Sequence, residues 1–225
     1  MASPYAFLAE HWRYAVDISI FVGCATGIGV YQWRLGRRTR QTPAMTVQGI
    51  NAQARAAWVK RVVDENRDVL AVQTFRNSTM AATLMASTAV ILILGILNML
   101  GNLDKLSTIL HELNTWGARE SGVWLFKLML LLVDFFVAFF CFSLAVRGYF
   151  HAGYLVNVPY DENDHNITIG RVVRVLDRAS TYFSIGMRTY YFSVPLVLWL
   201  FGPLWMLIAT IALIAILNHL DHLPE

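Results

Sequence analysis

The chain has 225 residues, of which 56% are hydrophobic and 15% charged, with a formal net charge of +3. Mean hydropathy is +0.49 and the sequence pI is about 9.0. This balance excludes an ordinary soluble domain and a disordered chain, and places the sequence among integral membrane proteins.

Four apolar runs are long enough to cross a hydrocarbon core of about 30 Å: residues 14–33, 79–100, 123–146 and 194–217. The expected fold is therefore all-α, a four-transmembrane-helix bundle forming a single membrane domain. Two further helical segments, about 43–78 and 166–190, are expected to extend it into a small cytoplasmic helical bundle.

The first run is preceded by MASPYAFLAEHWRYAVD, which has no basic n-region, so it reads as a retained span rather than a cleaved signal. Trp12, Tyr14, Tyr31 and Trp33 flank it as interfacial anchors, and Gly23 and Gly27 form a GxxxG that permits close helix contact. Asp17 falls about one turn inside the outer boundary, where a carboxylate needs a partner or water. Cys24 and Cys141 sit at different depths in two spans, which argues against a disulfide.

After Pro43, which suits a helix start, Val47, Ile50, Ala54, Trp58 and Val62 fall on one helical stripe. The stretch 64–100 is expected to organise the bundle. It holds no proline and one glycine, Gly95, so it reads as a single helix of roughly 55 Å, longer than the bilayer core. Its polar first half would pair with the preceding helix as a hairpin, and Gln73, Arg76 and Asn77 would form a polar cytoplasmic entrance or cap the bundle. Ser78, Ala82 and Ala86, beside Thr79, Thr83 and Ser87, make small-residue stripes suited to close packing.

Beyond the second span, Leu103, Leu106, Ile109, Leu110 and Leu113 predict a short interfacial helix. The third span carries Lys127 and Asp134, seven residues apart and on one face. Lys127 can snorkel to the surface, whereas Asp134, near the midplane, cannot. Asp17 and Lys127 lie at the same depth, so they pair if their helices are neighbours; Asp134 is expected beside Ser87, Thr88 and Thr210. A second amphipathic helix follows, with Ile169, Val172, Leu176, Ala179 and Phe183 on one stripe and Arg171, Arg174 and Arg178 on other faces. The last span has Pro195 in its expected first turn and a kink expected at Gly202-Pro203.

Basic residues are concentrated in two connections. Arg34, Arg37, Arg38, Arg40, Arg55, Lys60, Arg61, Arg67 and Arg76 lie between the first two spans, and Arg147, Arg171, Arg174, Arg178 and Arg188 between the last two. The positive-inside rule makes those connections cytoplasmic, with both termini outside, in a bacterial inner membrane. Such a surface suits anionic lipid headgroups rather than nucleic acid.

Two segments, AVQTFRNSTMAATLMASTAVIL and GMRTYYFSVPLVLWLFGP, with GINAQARAAWVKR upstream, resemble the DUF599 family of bacterial and plant membrane proteins. The likeness runs from about Tyr14 to the final span. It implies the four-span architecture and carries over no catalytic residue; the ends HWRY and NHLDHLPE stand outside it.

No Walker loop, dinucleotide glycine pattern, HExxH or CxxC occurs. One metal constellation is conceivable: His219 and His222 share a helical face, and His11 and His111 fall on the same expected side, a donor set for zinc, copper or haem if three segments converge. Three readings remain. One is a homo-oligomeric channel or transporter-like bundle for a small ion or solute. Another is a structural or regulatory membrane subunit that binds a partner protein or anionic lipid. The weakest is a membrane enzyme using the outer histidines.

Overall fold

A computed structural model describes residues 4–102, 121–158 and 169–221. Among them are six α-helices: α1 (Pro4–Gln41), α2 (Val47–Asp64), α3 (Asp68–Gly101), α4 (Ser121–Val156), α5 (Ile169–Phe201) and α6 (Pro203–Asp221). Four helical stretches are long and apolar enough to cross a membrane: Trp12–Gln41, Asp68–Gly101, Gly122–Val156 and Pro203–Asp221. The interfacial helix expected over 103–120 lies outside the described residues.

Local chemistry sets the breaks. Pro43 disfavours helical geometry at the residue before it, and Thr42 is extended at φ −135°, so α1 stops at Gln41. A 3-10 turn, Pro43–Met45, leads to Thr46, whose hydroxyl caps α2 by accepting from the Gly49 amide at 3.3 Å. Gly49 is required there, because any Cβ would collide with the Pro43 carbonyl. The single helix expected from residue 64 is corrected: α2 ends at Asp64, Asn66 turns the chain with φ 51°, and α3 begins only at Asp68.

The organising element is α4 rather than α3, since α4 packs along both α3 and α5. Ala82, Ala145, Ala152 and Ala179 are buried together in one cluster with Val59, Phe75 and Leu176. A Cβ on Gly148 would lie 2.7 Å from that of Ala179, and one on Gly186 would lie 2.8 Å from the Phe142 ring. Glycine at these two positions therefore lets α4 and α5 approach closely, as small residues do between helices in lipid. α2 buries Val59 and Val62 in the same cluster and is tied to α5 by Arg55 and Asp177 at 2.9 Å. It packs more on α5 than on α3, so the expected α2–α3 hairpin is not the main contact.

The end of the chain departs most from expectation. Arg188 and Asp221 are in contact at 2.6 Å across 33 positions of sequence, whereas unbroken helix between them would hold them about 50 Å apart. The chain therefore reverses, and α6 runs back along α5. Gly202 makes the reversal with φ 141°, a conformation open to glycine alone, and Pro203 starts α6 where its missing N–H does no harm. The expected single span over 194–217 is thus two antiparallel pieces, with Pro195 inside α5 rather than in a first turn. Pro4 opens α1 on the far side of Asp17, while Asp221 closes α6 against Tyr31, about 21 Å further along α1.

Candidate functional site

Three polar features stand out in this apolar bundle. At the Asp17 end, Lys127 of α4 places its ammonium 3.2 Å from Asp17 Oδ2, with the two side chains 0% and 3% exposed. The indole of Trp199 donates to Asp17 Oδ1 at 2.6 Å, and Lys127 also donates to the Trp199 carbonyl at 3.2 Å. That carbonyl accepts from the Gly202 amide at 3.2 Å and lacks its usual i+4 partner because Pro203, four residues on, has no N–H. Lys127 thus caps the C-terminus of α5, where a cation is favoured by the helix dipole. The rings of Trp199 and Trp124 flank the ammonium at 4.7 and 5.4 Å, and Phe21 stacks on Trp199 at 4.7 Å. The result is a closed knot of α1, α4 and α5.

At the opposite end, Arg188 donates to both carboxylate oxygens of Asp221 at 2.6 and 2.8 Å, and to Gln32 Oε1 at 2.9 Å. Tyr31 donates to Asp221 Oδ2 at 2.6 Å. A carboxylate at a helix C-terminus is opposed by the dipole, and Arg188 offsets that. This second knot binds α1, α5 and α6.

Asp134 is different. It lies on the Lys127 face of α4, and its Oδ2 is buried without a hydrogen-bond partner. The hydroxyls of Thr88 and Thr210 donate to Leu84 and Met206 in their own helices, and Ser87 lines a small recess with Phe139. None of these three is bonded to Asp134, so its expected neighbours are not its partners.

The third feature is a groove of about 810 Å³ between the last turns of α4 and the first turns of α5. Leu144, Arg147, Gly148, His151 and Tyr154 on one side follow helical i, i+3, i+4, i+7 spacing. Arg171, Arg174, Val175, Arg178 and Tyr182 do the same on the other. Among the described residues no carboxylate is paired with Arg147, Arg174 or Arg178. Asp177, which stands between Arg174 and Arg178 in sequence, is held by Arg55 on another face.

The other anticipated site residues are placed as follows. Gln73, Arg76 and Asn77 are exposed on α3; Arg76 lines a recess between α3 and α4, and Gln73 an adjoining one beside Asp68 that shares Val72 and Asn157 with it. His11 precedes Asp17 on α1 and His219 lies at the Asp221 end of α6, at opposite ends of the bundle; His111 and His222 fall outside the described residues. Among the described residues, no cluster of three or more His, Cys, Asp or Glu is placed to hold a metal ion. Cys24 and Cys141 are free thiols. Sequence reasoning missed the Arg188–Asp221 knot, because it placed these residues on opposite sides of a single span. It also missed the groove, because it counted the arginines as a topology signal. The i, i+3, i+7 recurrence of arginine at 171, 174 and 178 was the available clue.

A family model described as "Protein of unknown function, DUF599" matches residues 19–224. No curated protein and no solved structure matches the chain.

Proposed function

The chain belongs to the DUF599 family, and from that premise we propose that it is a regulatory or structural membrane subunit that recognises an anionic ligand at its arginine-bearing end. One observation carries this: a groove of about 810 Å³ is lined by four arginines and lies at the end of the apolar run of α4, whereas Asp17 and Lys127 within the bundle are closed on each other. A pathway that used these charges would need them to face water. Here Asp17 and Lys127 are consumed in holding α1, the helix with the smallest buried share of the four apolar ones, against the bundle.

By the positive-inside rule the groove faces the cytoplasm of a bacterial inner membrane. On this reading the outer half of α5, up to the reversal at Gly202, is a fifth crossing beside the four apolar helices, and the termini lie on opposite sides. Anionic lipid headgroups are the nearest ligand on that side. Purified protein should melt at a higher temperature in phosphatidylglycerol than in phosphatidylcholine, with the difference falling in high salt. Equal melting in both lipids would remove the support.

The unpartnered Oδ2 of Asp134 favours a second reading, a homo-oligomeric channel or transporter-like bundle. Large apolar side chains such as Met80, Leu84, Ile91 and Leu94 are exposed along α3, a face for lipid or for a second copy.

A further inference from the structure

Resting on the anionic-ligand reading, we propose that the groove between α4 and α5 is a specific site for a phosphate group carrying two negative charges, held by Arg147, Arg174 and Arg178. Guanidinium groups do not lose their protons, so Arg147, Arg174 and Arg178 around one concavity repel each other and favour an anion between them. No carboxylate among the described residues supplies that anion to Arg147, Arg174 or Arg178. Arginine's planar fork matches phosphate oxygens bidentately, and donors from two facing helices can grip one phosphate from both sides.

The surroundings narrow the ligand further. Arg147 is the first residue beyond the apolar run 123–146, which places the mouth of the groove at headgroup depth. Leu144 and Val175 are apolar lining at this level, with Phe150, Tyr154 and Tyr182 as aromatic walls, so the site takes a molecule with an apolar or planar part beside its phosphate. The volume, about 810 Å³, lies within the range of small-molecule sites. The floor is fixed by the close approach of Gly148 to Ala179, so the spacing between the two arginine-bearing faces is set by packing rather than by flexible loops. The α1 arginines offer a contrast in placement: Arg34, Arg37 and Arg40 lie along one helix, whereas the groove arginines, likewise exposed, come from two facing helices; Arg37 stacks over Trp33 at 4.8 Å.

A phosphomonoester lipid and a free phosphate compound share this chemistry. The test uses the full-length chain in detergent, offered an equal mixture of phosphatidic acid, phosphatidylglycerol and phosphatidylcholine with the same acyl chains; lipid retention is read by native mass spectrometry. In parallel, the chain in phosphatidylcholine nanodiscs is titrated with inorganic pyrophosphate. Retention of phosphatidic acid above both other lipids is expected, reduced about tenfold or more in the double variant Arg174→Gln, Arg178→Gln and unchanged in Arg37→Gln, Arg40→Gln. The pair Arg174→Lys, Arg178→Lys keeps the charge and guards against misfolding; it should lose the preference for phosphatidic acid over phosphatidylglycerol. Saturable pyrophosphate binding that needs Arg174 and Arg178, without lipid discrimination, supports the same site with a soluble ligand. Anionic lipid retained equally by all variants overturns the groove while leaving the anionic-surface reading standing. No anionic preference and no pyrophosphate binding overturns both.

Discussion

Lys127 Nζ lies 3.2 Å from Asp17 Oδ2 and 3.2 Å from the Trp199 carbonyl, so one ammonium joins three helices inside the apolar bundle. Removing either charge strands the other in a dry site. Asp17→Asn and Lys127→Met should each destabilise the protein by roughly 3–5 kcal/mol, while the double change should recover much of that loss. Denaturant unfolding in mixed micelles measures it; simple additivity of the two single variants would show that the pair is not coupled.

Gly202 carries the chain reversal at φ 141°. Gly202→Ala should cost about 1–3 kcal/mol, because a Cβ is strained in that conformation. Its effect should also reach the far end of the hairpin, since α6 delivers Asp221 to Arg188. A change of that size absent from thermal unfolding would mean that the turn is made elsewhere.

The sequence reads well where a rule is local. Asp17 and Lys127 could be set at one depth by counting residues, because a membrane helix converts position into depth at a fixed rise. The Thr42-Pro43 break and the apolar runs are legible for the same reason. Gly202-Pro203 reads equally well as a kink and as a reversal: both need a lost backbone bond, and only the long-range pairing of Arg188 with Asp221 decides between them. The arginine groove was hidden because Arg147 and Arg174 are distant in sequence and meet only through the Gly148–Ala179 approach, a tertiary contact with no local signature.

Topology follows from that pairing. With Cys24 and Cys141 replaced by serine, single cysteines at His219 and Lys60, both exposed, should react with an impermeant thiol reagent from the same side, and one at Trp12 from the other. Reaction of the His219 and Trp12 positions from one side would contradict the antiparallel hairpin.

Flux through reconstituted proteoliposomes tests most directly whether the bundle is closed. With its charges knotted at Asp17–Lys127 and Arg188–Asp221, the wild-type protein should pass protons and monovalent ions no faster than protein-free liposomes, and Asp134→Asn should leave both flux and assembly unchanged. A wild-type flux well above that background, abolished by Asp134→Asn in protein that still assembles, would contradict the account and make the buried carboxylate part of a pathway.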